Sequence, residues 1–187
     1  MPTQKGESNF KWGDSAVTYV SSKLYRGPAN APFKLQSNLE GQLNAMEALL
    51  RVRSGADADM ESGFINPNDG LRIARAWANN AMKFGGGNCG EHAATAYIWL
   101  LEQHVVPIDW AKFTNKDHSF VIIGRSAIGG YMAKDVPLQP WFKDAVICDP
   151  YWKHTYYWGD VLRDYPPEYI ASIHHQESVS ITEWKNR

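Results

Sequence analysis

Of the two cysteines in this chain, one lies in a setting that favours reactivity. The segment Gly85-Gly86-Gly87-Asn88-Cys89-Gly90-Glu91-His92 runs from a glycine loop into an alanine-rich apolar stretch. Asn88 and Glu91 have the spacing of a helix N-cap and its capping box, which sets Cys89 at the first helical position. Free amides and the helix dipole stabilise negative charge at that place, and so favour the thiolate, the nucleophilic form of cysteine. Glycines on both sides leave the sulfur uncovered and let a substrate backbone approach. The alternative is a packing cysteine at a loop-to-helix junction, the commoner fate of a free thiol.

A thiol nucleophile needs a base within hydrogen-bond reach, and the base needs a third group to hold its tautomer and steady its cation. His118 opens an apolar run, 118–123, directly after the polar turn Asn115-Lys116-Asp117, where a side chain can face a cleft while the residues behind it anchor in a sheet. Asp149 ends the run 145–149, and Pro150 after it cannot donate to a ladder. Strand neighbours point to opposite faces, so an Asp149 aimed at a cleft turns Cys148 into the core. Singly, the histidine reads as a strand-end residue and the aspartate as a turn former. Jointly with Cys89 they make a Cys-His-Asp triad. His92 is the reserve base, weakened by a helix N-terminus that disfavours its cation. A zinc site built from Cys89, His92, His118 and Cys148 or Asp149 is the chemical rival, but the paired Cys-x-x-Cys and His-Glu-x-x-His signatures are missing. No metal and no cofactor are therefore assigned.

The elements that must position these groups follow from capping and periodicity. Ser37 and Glu40 form a capping box ahead of Leu39, Leu43, Met46 and Leu50, which predicts a helix over 38–53, closed near Gly55, with a loop over 55–66. Asn68 is expected to cap a second helix that ends at the three glycines. The third helix, 89–104, is apolar around most of its circumference and is expected to be buried. Strands are predicted at 108–113, 118–123, 145–149 and 154–158, with further strand over 170–173 and 179–181. Residues 1–34, punctuated by Gly6, Gly13, Gly27, Pro28 and Pro32, are expected to form an irregular arm with one short strand at 16–20. Helices first and an antiparallel sheet second is an α+β order, here in a single domain spanning 1–187.

Nineteen basic and twenty acidic residues leave a net charge of −1, with no basic stripe, so a nucleic-acid partner held by bulk charge is not expected. No apolar run is long enough for a membrane span, and the polar start does not read as a signal peptide. Two cysteines are too few for a disulfide scaffold and fit a reducing cytosol. Aromatic residues gather around the acid, and of these Trp141, Tyr151 and Trp152 are candidates for a substrate-cleft wall.

Asn88-Cys89-Gly90-Glu91, Asp117-His118-Ser119-Phe120 and Cys148-Asp149-Pro150 together resemble the papain-like fold superfamily, and within it the compact bacterial thiol effectors and toxins: glutamine deamidases, transglutaminase-like enzymes and related cysteine proteases. The resemblance implies a papain-like α+β fold with the nucleophile at the start of a buried helix packed on an antiparallel sheet. It implies catalysis by Cys89, His118 and Asp149 and a nucleophile loop of Asn88, Cys89 and Gly90 in which the Cys89 amide serves the oxyanion. The implied substrate is a protein, with glutamine deamidation favoured over proteolysis or transamidation. It further implies action in a target cell's cytosol after delivery by a secretion system, with a secretion chaperone or an inhibitor or immunity protein as partner. The chain departs from the family in placing the acid 31 residues behind the histidine, where many members have it closer. The family's upstream oxyanion glutamine has no clear counterpart, since Gln36 and Gln42 lack its surrounding motif. From a different class, a non-catalytic peptide-binding module built on the glycine loop and the aromatic cluster is the alternative.

Overall fold

A computed structural model describes residues 2–29, 39–61, 69–125, 143–161 and 173–179. Four helices precede five strands: α1 (Gln4–Lys23), α2 (Leu39–Glu61), α3 (Gly70–Phe84), α4 (Cys89–Glu102), β1 (Ile108–Phe113), β2 (His118–Ile123), β3 (Val146–Asp149), β4 (His154–Tyr157) and β5 (Ile173–Val179). The strands form one sheet in the order β4-β3-β2-β1-β5, antiparallel at every junction. The α+β class and the helix-then-sheet order are as expected. Strands β1 and β2 begin and end where their apolar runs do.

The expected N-terminal arm is instead a 20-residue helix, and the strand at 16–20 is part of it. Of the glycines taken for punctuation, Gly6 and Gly13 lie within the helix against other elements, whereas Gly27, with φ of 72°, does sit in a turn. A Cβ on Gly13 would lie 2.6 Å from Thr155 Cγ2 in β4, and one on Gly6 would meet the backbone of Lys143 and Asp144. Thr3 caps the helix by accepting from the Gly6 amide, and Ala16, Val17, Val20 and Leu24 form its buried stripe. Asn9 donates to the Asp144 carbonyl at 2.8 Å, which pins α1 to the start of β3.

Helix α2 corrects a second expectation. It runs through Gly55 to Glu61, with Gly55 lying against the Asn80 side chain of α3. Its expected core stripe is turned outward: Leu43, Met46 and Leu50 are exposed, while Ala45, Ala48 and Val52 are buried. The small side chains let α2 approach its neighbours closely, which the larger ones at the expected positions would not. Helix α3 is capped by Asp69, whose Oδ1 accepts from the Arg72 amide, and not by Asn68. Gly85 closes it with φ of 73°, a left-handed conformation that glycine adopts without strain.

The sheet buries apolar side chains on both faces. Ile108, Trp110, Val121, Ile123 and Cys148 join the core beneath the helices, whereas their alternate neighbours Ala111, Phe113, Phe120, Ile122 and Ile147 form a smaller cluster with Trp158 and Val161. Beyond the end of β2, Arg125 grips Asp109 of β1 with two hydrogen bonds of 2.7 Å, and both side chains are almost fully buried. No helix among the described residues is long and apolar enough to cross a membrane.

Candidate active site

Cys89 is the first residue of α4, with Asn88 at the cap. The Asn88 amide donates to Glu91 Oε2 at 2.8 Å, and Arg53 of α2 reaches Glu91 Oε1 at 3.5 Å. This half of the capping box fixes the turn. The other half is loose, because Asn88 Oδ1 faces the Glu91 amide without a hydrogen bond of standard geometry. Two glycines make the turn spatially feasible: a Cβ on Gly87 would sit 2.5 Å from Glu91 Cβ, and one on Gly90 would sit 2.6 Å from the Trp77 ring. The amides of Cys89 and Gly90 belong to the first turn, where the helix offers them no upstream carbonyl.

The Cys89 sulfur lies 3.5 Å from the carbonyl oxygen of Asp117, the residue just before His118. His118 opens β2 and Asp149 closes β3. These strands are antiparallel neighbours, so the start of one lies beside the end of the other. His118 Nε2 meets Asp149 Oδ2 at 2.5 Å, and the imidazole lies within interaction range of the Cys89 thiol. Burial alone disfavours the His118 cation. The hydrogen bonds and charges of Asp149 and Cys89 outweigh it and raise the imidazole to about 9. Asp149 is 0% exposed, and its other oxygen accepts from the Trp152 amide at 3.2 Å, so the carboxylate is held from two sides.

The structure therefore brings together all three residues expected from the sequence. His92, the reserve base, is engaged elsewhere: its Nδ1 donates to the Asn88 carbonyl at 2.8 Å, and burial lowers its pKa. It buttresses the Asn88–Cys89 turn from inside the protein. Cys148 points into the core towards the Gly13 carbonyl, and burial foremost raises its pKa far above the usual thiol range. Neither cysteine is in a disulfide. Among the described residues, no group of three or more His, Cys, Asp or Glu side chains is arranged to hold a metal ion.

Two of the three candidate wall residues are at the site. Tyr151 packs edge-on against His118, with centroids 5.6 Å apart, and against His92 at 6.1 Å. Trp152 tilts over His118 at 6.4 Å and is 44% exposed, the open edge of this wall. Trp141 lies outside the described residues. So does Gln36, while Gln42 stands in the first turn of α2. Sequence reasoning missed Phe113, which stacks on His118 at 6.2 Å, and Arg53 behind Glu91. The first was within reach, because a tight turn pairs the last residue of one strand with the first of the next, and Phe113 and His118 are such partners. Arg53 left no comparable signal, since its contact with Glu91 depends on how α2 packs. Comparison with protein-family models, with curated proteins and with solved structures finds no match for this chain.

Proposed function

We propose that the chain is a thiol amidohydrolase of papain-like arrangement, with Cys89 as nucleophile, His118 as acid and base, and Asp149 as the group that orients and steadies the imidazole. The observation that carries this reading is the placement of His118, whose Nε2 is on a buried carboxylate and whose ring lies within interaction range of a cysteine at a helix start. In such a pair, Sγ gives its proton to His118 Nδ1 and attacks the carbonyl carbon of a carboxamide. The Cys89 amide donates to the tetrahedral oxyanion. The imidazolium returns the proton to nitrogen as the C–N bond breaks, releasing ammonia and leaving a thioester. Water, deprotonated by the same imidazole, then attacks the thioester, and the thiol is restored as the carboxylate leaves.

The favoured substrate is a glutamine side chain of a protein, on the strength of the resemblance carried by the three motifs. Loss of a peptide amine in place of ammonia would be proteolysis, and capture of the thioester by an amine would be transamidation. Intact-mass analysis of candidate protein substrates separates the three: a gain of about one dalton is expected, whereas fragments or an amine adduct would reassign the reaction. Cys89→Ala should abolish the mass change while circular dichroism stays that of the parent. Iodoacetamide near neutral pH should label Cys89 far faster than Cys148, and equal slow labelling of both would overturn the enzyme reading in favour of a binding module.

A further inference from the structure

Strand β4 is an outer strand of the sheet, and a groove of about 250 Å³ lies along it, lined by Phe10, His154, Thr155, Tyr156, Tyr157 and Asp160. Four consecutive strand residues line one groove although their side chains alternate between faces, so the groove follows the free edge of the strand and not either face. The backbone there has hydrogen bonds to give. Trp158 N–H donates to the Ala145 carbonyl, which makes those two a hydrogen-bonded pair of the antiparallel ladder. Counting back by alternation in the β3–β4 register, Tyr156 and His154 turn their backbone groups towards β3, while the N–H groups of Thr155 and Tyr157 and the carbonyl of Thr155 turn outward. These lie two residues apart, the spacing an added strand uses. His154–Tyr157 holds no proline or lysine, the residues that commonly guard an edge.

Around the groove acidic groups outnumber basic ones, Glu7, Asp14 and Asp160 against Lys11 and Lys153. Asp160 stands at one end, and Glu7 and Asp14 flank Phe10 at helical spacing on the same face of α1. All three carboxylates are exposed, and none is in an ion pair among the described residues. Lys153 sits at the opposite end of β4 from Asp160. The rings add to the attraction for a cation: Phe10 stacks on Tyr157 at 4.5 Å, and Tyr156 lies beside them on the strand. The Thr155 hydroxyl, buried against Gly13, has no hydrogen-bond partner among the described residues.

We propose that the edge of β4 is a docking site for an extended, basic protein segment, which adds to the sheet as a sixth strand and places a lysine or arginine side chain against Asp160, Phe10 and Tyr157. His154 pairs with Asp149 across β3, so the groove begins one strand away from the triad. A segment seated in it is tethered beside Cys89 without occupying the site. The inference concerns binding alone and stands or falls independently of the chemistry at Cys89.

The test is fluorescence anisotropy on the full chain carrying Cys89→Ala, with three short labelled peptides. One alternates lysine and threonine, one has glutamate for lysine, and one is the lysine peptide N-methylated on alternate amides to remove strand pairing. The lysine peptide should bind at least about tenfold tighter than either of the others, and Asp160→Asn should weaken it about threefold. In two-dimensional amide spectra, the Thr155 and Tyr157 signals should move most. Equal binding of the glutamate peptide removes the charge preference, and equal binding of the N-methylated peptide removes strand addition. Either result overturns the proposal, as does absence of binding or a response centred on another surface.

Discussion

Strand β2 carries a buried carboxylate–cation pair at each end, and the two pairs do different work. At its beginning, His118 meets Asp149, and beyond its end Arg125 meets Asp109. Both carboxylates are buried, both belong to neighbouring strands, and both cations come from β2 or just after it. The Arg125 pair is closed: two matched bonds tie the guanidinium to the carboxylate and bury both. The His118 pair is open. Its cation can give up a proton, its side chain is 12% exposed, and the Cys89 thiol lies within interaction range of the ring. A buried ion pair by itself is thus a clamp; a titratable member and a reactive neighbour make it a candidate site.

Four changes test that contrast. His118→Ala should cost the amidase activity about a thousandfold or more, slow Cys89 alkylation and lower stability near neutral pH by about 2–3 kcal/mol as Asp149 loses its buried cation, as measured by steady-state rates beside denaturant unfolding. Activity that persists in this variant would move the base to His92. Asp109→Asn should separate the two readouts, with about 3–5 kcal/mol of stability lost in denaturant titration because Arg125 keeps a buried, uncompensated charge, while alkylation of the folded fraction stays parental.

The two pairs should also separate with pH. His118 is raised from 6.5 to about 9 on folding, so its contribution is fully present below pH 6.5 and is lost as the pH climbs through 9. Denaturation midpoints between pH 6 and 10 should fall by the equivalent of up to about 3 kcal/mol, and His118→Ala should flatten that slope whereas Asp109→Asn should leave it in place. The smallest effect is expected from Cys148→Ser. The serine hydroxyl can take over the contact with the Gly13 carbonyl, so about 1 kcal/mol of stability and no activity should be lost.

The site was more legible than parts of the fold around it. Cys89, His118 and Asp149 stand at element boundaries, and boundaries leave local signals: a cap and its box partner, a polar turn before an apolar run, and a proline after the last strand residue. What the sequence hid was packing between distant elements. Gly6 and Gly13 look the same as loop glycines until their neighbours Asp144 and Thr155 are known. Leu43, Met46 and Leu50 have helical spacing, but which stripe of α2 turns inward was decided by how closely Ala45 and Ala48 let it approach. Asp109 and Arg125 lie 16 residues apart, and only the β1–β2 pairing brings them together.

The docking of α1 has a consequence for the order of events during synthesis. The helix leaves the ribosome well before the sheet, and the groups that meet it there, the Asp144 carbonyl for Asn9 and Thr155 for Gly13, follow about 140 residues later. Asp149 arrives with them. A growing chain therefore displays Cys89 and even His118 while Asp149 is still unmade, and α1 can pack on α4 through Trp99 but waits for the same late strands to cover the rest of its inner face. The segment that seats α1 is thus the one that brings Asp149 beside His118, and β5, which closes the other edge of the described sheet, follows it.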